Sequence, residues 1–318
     1  MKNANQCLFQ RLSGFLFTML AASLTALPAT PATAAPDFNR AFDTSILVRS
    51  DAAYRFETKR VTLGDRTLLV YAALPKKASA EKAPVLYALD GNPLLEALTP
   101  ERLAQLAARD RAPVVVLIGY DTPKWSEAVR FRSYDYTPPC QSAEICTDDM
   151  HPDRPNGGAD RLLDAIEHDV KPWVESLRAI DRDRQTLLGH SYGGLFVMHT
   201  LLTRPGLFTR YVAADPAMWW KGGALMDRWD KAEKSLVFET PVRLDRLSSG
   251  MARPRSTDAK TQKILSVRKL SPERAEAFRQ KLAETPGLTV TETRCPNHTH
   301  GRLLKDSLLM SLDLAPQY

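Results

Sequence analysis

Residues Thr186–Thr200 read TLLGHSYGGLFVMHT, and this stretch decides how the rest of the chain is read. An apolar run ends at Gly189, the turn His190-Ser191-Tyr192-Gly193-Gly194 follows, and an amphipathic helical pattern begins directly after it. Gly-x-Ser-x-Gly between a strand and a helix is the setting of a nucleophile elbow. Such a turn holds its serine in a strained backbone conformation and needs glycine where strand and helix crowd together. The hydroxyl is thereby carried clear of the sheet, and the helix N-terminus behind it favours developing negative charge. The plainer reading is a glycine-rich strand–helix turn with an ordinary serine. The two readings are separated by whether the chain supplies a histidine, an acid and a second oxyanion donor in a permitted order.

Upstream, Tyr54–Pro75 alternates apolar and polar residues on both sides of Gly64-Asp65, the pattern of an antiparallel hairpin. Pro84–Leu89 and Pro113–Gly119 are short continuous apolar runs, expected as buried parallel strands, with a helix from about Pro100 to Arg109 between them. The segment from Tyr120 to about Gly158 reads as a long connection, and one helix is expected over Asp160–Arg178. Downstream, Tyr211–Ala214 and Ser235–Glu239 are expected as strands, Thr240–Leu270 as a basic insertion, Ser271–Ala283 as a helix, Thr289–Arg294 as a strand and Arg302–Leu314 as the closing helix. Strands and helices alternating after a hairpin predict one domain of the α/β-hydrolase type: a mostly parallel sheet with helices on both faces.

In that fold the nucleophile is followed in the chain by the acid and then the histidine, each on a loop after a later strand. His298 and His300 lie between the last expected strand and the last helix, where an imidazole returns beside the serine. A His-x-His pair also suits a metal, but no third ligand cluster accompanies it, so no metal is expected. Glu239, ending SLVFE, is the candidate acid and Asp245 its alternate, while Asp227 and Asp230 come too early. The backbone N–H of Tyr192 is one candidate oxyanion donor, and that of Asn92, in Asp90-Gly91-Asn92-Pro93, is the other. Trp219, just past a strand end, is a candidate wall for substrate or an element of the core.

The N-terminus reads as a separate signal. Lys2 and Arg11 precede an apolar run from Leu12 to Leu27, and Ala32-Thr33-Ala34 fits a small-x-small cleavage site. The run is short of the roughly 20 residues of a spanning helix, so residues 1–34 are read as a secretory leader and 35–318 as the exported domain, soluble and periplasmic. Removing the leader takes two bases and no acid, which leaves a net charge of +4 out of +6. Basic residues between Arg253 and Lys269 carry much of this excess without interleaved aromatics, which argues against nucleic acid as a partner. Three cysteines survive processing; Cys140 and Cys146 can close a short loop, with Cys295 left as a thiol.

LYALDGNP, GYDTPKWSEAVRFRSYDYTP, GGADRLLDAIEHDVKPWV, LLGHSYGGLFVMHTLL and NHTHG together resemble the esterase D-like family of α/β hydrolases. Within it they are most similar to periplasmic esterases that open trilactone siderophores of the enterobactin and salmochelin type. The resemblance implies Ser191 as nucleophile, His300 rather than His298 as base, no cofactor, and Arg130 and Arg132 near an anionic ligand. It implies a small-molecule partner, a catecholate siderophore or its ferric complex, and a triad acid that contributes little. Two departures stand out: Asp215 occupies a position where serine is usual, and Glu239 lacks a clear motif. A general carboxylesterase and a non-catalytic siderophore-binding protein are the alternative readings.

Overall fold

The computed structural model describes residues 40–314 except 50, 78, 141–145, 233–235, 237, 252–261, 263–265 and 267–268. The leader at 1–34 and most of the basic run lie outside these residues. The sheet opens with the expected hairpin, β1 (Tyr54–Leu63) and β2 (Arg66–Pro75), paired antiparallel from Tyr54↔Pro75 to Leu63↔Arg66. β3 (Ala83–Leu89) leads to the single-turn α1 (Gly91–Leu94) and to α2 (Pro100–Ala107), which Thr99 caps by accepting from the Arg102 N–H. β4 (Val114–Tyr120), β5 (Ile180–His190), β6 (Arg210–Ala214), β7 (Val242–Ser249) and β8 (Leu288–Cys295) complete the sheet. The order is β1-β2-β4-β3-β5-β6-β7-β8, and every pairing after β2 with β4 is parallel.

The period-2 alternation of a strand sends β3 to both faces at once. Val85, Tyr87 and Leu89 join one apolar cluster, together with residues of α3 (Trp125–Asp135), α4 (Ala159–Ala165), α6 (Tyr192–Thr203) and α7 (Ala224–Ala232). Leu86 and Ala88 join the other cluster, with α2 and the last helix, which is α9 (His300–Leu314) once α8 (Pro272–Glu284) is counted. Every residue of β3 and β4 is buried, as continuous apolar runs demand of central parallel strands.

The sequence-based expectation lacks α1 and α7 and differs at three further places. The connection after Tyr120 contains α3, whose buried face includes Arg132, Ser133 and Asp135. The helix expected over Asp160–Arg178 is α4, a π-helical turn at Ile166–Val170, and α5 (Lys171–Leu177) in succession. The strand expected at SLVFE lies later, as β7; Leu236, Phe238 and Glu239 belong to no strand. β7 is hard to read because it buries Asp245, which accepts from Arg210 Nε at 2.6 Å and from Arg243 Nε at 2.8 Å. The connection also carries the expected staple, a Cys140–Cys146 disulfide with Cα atoms 5.9 Å apart, while Cys295 lies outside it and is buried. No helix among the described residues is long and apolar enough to cross a membrane.

Candidate active site

Three neighbouring parallel strands, β3, β5 and β6, each end in a non-glycine residue with a left-handed φ: Asp90 at 59°, Ser191 at 58° and Asp215 at 41°. Each such residue costs of order 1–3 kcal/mol and persists only when its surroundings over-determine it. Around Ser191 they do. Its N–H donates to the Ala214 carbonyl at 2.9 Å, and its carbonyl accepts from Leu195 at 2.9 Å and Ala217 at 3.0 Å. Crossing of strand and helix there leaves no room for side chains: a Cβ on Gly189 would sit 2.2 Å from the Gly193 carbonyl oxygen, and one on Gly194 would sit 2.9 Å from Pro216 Cα.

His300, the first residue of α9, faces this turn. Its Nε2 lies 3.2 Å from Ser191 Oγ and its Nδ1 lies 3.0 Å from Asp215 Oδ2. The other Asp215 oxygen accepts from the Ser249 N–H at 2.9 Å. Burial alone would raise the Asp215 pKa, but the bonds from His300 and Ser249 outweigh it and hold this carboxyl below its ordinary value. His298 points elsewhere, with Nε2 3.0 Å from Asp306 Oδ2.

The acid beside the histidine is therefore Asp215, and the assignment to Glu239 is corrected. Glu239 is exposed and precedes β7, so it lies toward the amino edge of the sheet, while Ser191, Asp215 and His300 gather at the carboxyl edge. Asp245, the alternate, is buried in the middle of β7 between Arg210 and Arg243. The signal for Asp215 in the sequence is its position as the acid that directly follows the strand expected at Tyr211–Ala214, which is β6.

Tyr192 is the first residue of α6 and Asn92 the second of α1, in first turns whose N–H groups have no acceptor within their own helix. The Asn92 side chain clips α1 to the end of β4: Nδ2 donates to the Tyr120 carbonyl at 2.9 Å and Oδ1 accepts from the Tyr120 N–H at 2.7 Å. Tyr192 donates its hydroxyl to the buried Asp148 at 2.8 Å, so the stapled connection is tied to the residue after the serine. Trp219 packs beside Tyr192 with ring centroids 5.8 Å apart.

Two clefts meet at His300. One, of about 350 Å³, holds Ser191 between Phe42, Pro93, Trp125 and Leu304; the other, of about 590 Å³, extends from Asp215 past Trp219, Met218, Met251, Arg246 and Lys269. A further cavity of about 280 Å³ lies at the amino edge beside Arg184, away from the serine. Of the candidate ligand-binding residues, Trp219 lines the larger cleft and Arg132 the smaller, whereas Arg130 is exposed and lines neither. Arg132 is moreover engaged in a buried ion pair with Asp90. His190 packs on His300 with ring centroids 4.4 Å apart, and burial, with the charges of His300 and Arg132 added, pushes its pKa down to about 3. His190, Asp215 and His300 place potential metal-ligand atoms within 4.8 Å of one another, but two of the three are already joined in the hydrogen-bonded chain to Ser191.

Known proteins share this arrangement of strands. The chain is 37% identical over 169 residues to the apo-salmochelin esterase of Escherichia coli O6:H1 (strain CFT073), covering 52% of this chain and 51% of that protein. It is 34% identical over 163 residues to the ferri-bacillibactin esterase BesA of Bacillus subtilis (strain 168), covering 46% and 52%. The chain thus spans about half the length of the curated relatives it matches. Among solved structures, the enterobactin hydrolase IroE in complex with DFP superposes with a TM-score of 0.66 at 28% identity, over 85% of this chain and 99% of that one. The siderophore hydrolase EstA from Aspergillus nidulans gives a TM-score of 0.66 at 25% identity, over 83% and 95%. Residues 62–285 match the family described as "Putative esterase", and with the α/β-hydrolase sheet and these relatives the chain belongs to that esterase family.

Proposed function

We propose that the chain is a secreted serine esterase that hydrolyses the ester bonds of a trilactone catecholate siderophore and so serves iron acquisition. The observation that carries the reading is the continuous hydrogen-bonded path Ser191 Oγ–His300–Asp215. In this reading His300 Nε2 takes the serine proton as Oγ attacks the ester carbonyl, and Asp215 orients the imidazole and stabilises its charged form. The N–H groups of Tyr192 and Asn92 receive the charge that develops on the carbonyl oxygen. The imidazolium returns the proton to the leaving alcohol, and a water activated by the same histidine then frees the acyl group from Ser191.

The substrate class is supported by the names of the relatives, all esterases or hydrolases of siderophores. It is supported also by the larger cleft, where an aromatic wall at Trp219 and the exposed base Lys269 suit catecholate rings and their anionic oxygens, Arg246 there being paired with Glu292. Export by a leader cut near Ala34, a single catalytic domain over 35–318 and action in the periplasm complete the proposal.

The test is incubation of the protein with apo- and ferric enterobactin, read by chromatography, beside Ser191→Ala and His300→Ala. Linear products from the wild type alone are expected. Binding without any product would overturn the esterase reading, and turnover of p-nitrophenyl esters without trilactone opening would assign a general carboxylesterase.

A further inference from the structure

Asp90 stands outside the path from Ser191 to Asp215, yet it ends the strand next to the serine strand and shares its left-handed φ. Its side chain is 1% exposed, and both carboxylate oxygens are occupied by one partner: Arg132 Nε donates to Oδ1 at 2.7 Å and Nη2 to Oδ2 at 2.9 Å. The same Nη2 donates at 3.2 Å to the carbonyl of His190, the residue before the serine. The guanidinium also lies 5.9 Å from the ring centroid of Tyr192, the residue after it, and 5.1 Å from that of Tyr136, whose hydroxyl accepts from the Asp90 N–H at 3.0 Å. One side chain from α3 therefore touches the end of β3, the end of β5 and the start of α6.

A guanidinium whose Nε–Nη2 edge is committed to a carboxylate has no free fork of that kind to offer a substrate anion. What it does fix is the separation of two turns that no single element spans. Oxyanion donors act by being held in place before the charge appears, so their mutual geometry is what must be maintained. We propose that Arg132 is a positioning residue for ester hydrolysis. Through Asp90 it sets the turn that begins α1, through the His190 carbonyl it sets the serine turn, and the N–H groups of Asn92 and Tyr192 meet the acyl oxygen as a preset pair.

The inference rests on Ser191 as the nucleophile, and the experiment separates the two. The full chain carrying Arg132→Gln, Arg132→Lys, Asp90→Asn or Arg132→Gln with Asp90→Asn is assayed on neutral p-nitrophenyl butyrate and on the anionic p-nitrophenyl hemisuccinate, with Ser191→Ala as the reference. Circular dichroism confirms that each variant is folded. A positioning role predicts that kcat falls about a hundredfold on both esters, as for loss of one oxyanion donor, with KM within about threefold. Arg132→Lys, which keeps the charge and loses the fork, falls nearly as far, and the double variant is no slower than Arg132→Gln alone. Should Arg132→Gln not fold, Arg132→Lys and Asp90→Asn carry the same comparison.

A rise in KM confined to the anionic ester, largely restored by lysine, would make Arg132 a substrate-binding residue and overturn the proposal. Unchanged kcat in Asp90→Asn would overturn it as well. Full activity in Ser191→Ala would instead remove the nucleophile assignment itself.

Discussion

Ser191 and Asp215 directly follow adjacent parallel strands, each with a positive φ, and are joined by the bond from the Ser191 N–H to the carbonyl of Ala214. The proposed nucleophile and acid are thus neighbours across one strand pairing, and the imidazole has only to be delivered between them by α9.

Asp215→Asn should lower kcat by about 10²- to 10⁴-fold, because an amide cannot hold His300 in its working tautomer or stabilise its cation. Glu239→Gln, an exposed change at the far edge of the sheet, should leave kcat within about twofold. Steady-state ester hydrolysis by the two variants decides between them, and the reverse order of effects would restore the acid to Glu239.

His190 should make the protein sensitive to acid. Its folded pKa of about 3 lies below its ordinary value of 6.5, so between these limits the unfolded chain binds more protons than the folded one. Stability therefore rises with pH across that window, by up to about 1.4 kcal/mol per pH unit for this one group, and is lost as pH falls. Urea denaturation from pH 7 to pH 4 should show a steeper loss for the wild type than for His190→Gln. Parallel curves would show that the ring does not stay neutral in the folded protein.

The Cys140–Cys146 bridge closes a short loop, for which the loop-entropy model gives about 2 kcal/mol. Reduction, or Cys140→Ser, should then lower Tm by about 4–8 °C. A fall in kcat/KM should accompany it, since the same connection holds Tyr192 through Asp148. Thermal melts with and without dithiothreitol provide the measurement; Cys295 is buried and bears on neither expectation.

Trp219→Ala should raise KM about three- to tenfold for aryl esters, the scale of one aromatic contact, and leave small aliphatic esters nearly unaffected. Equal losses on both classes would move Trp219 from the substrate wall into the core packing around Tyr192.

The elements that were legible in the sequence are those whose burial is apolar. β3 and β4 announce themselves as unbroken apolar runs, and the serine turn leaves its trace in glycines that the crossing of strand and helix requires. Of the elements without such a mark, α7 buries the apolar Leu225, Met226 and Trp229, while α3 and β7 bury charge. α3 hides because Arg132 and Asp135 lie on its inner face, each neutralised by a partner distant in sequence. β7 hides because Asp245 is covered by two arginines, so neither alternation nor an apolar run marks it. The misplaced β7 carried the acid with it. A strand expected at SLVFE makes its last residue, Glu239, the natural candidate, whereas the acid after β6 carries no mark in the sequence beyond its position. Ion pairs between residues far apart in the chain have no local signature, and the same property kept the role of Arg132 out of view.

With Ser191 as the proposed nucleophile, its backbone also sets activity against heat resistance at a single residue. A φ of 58° with a ψ of -115° is easy for glycine and costly for any side chain, so the hydroxyl is kept there at the expense of thermal durability. Ser191→Gly should be inert and yet melt above the wild type, whereas Ser191→Ala, equally inert, retains a Cβ and should gain no such resistance. Selection for thermostability alone would then drift toward dead enzyme at this position, and a screen of stabilised variants should score turnover at every round.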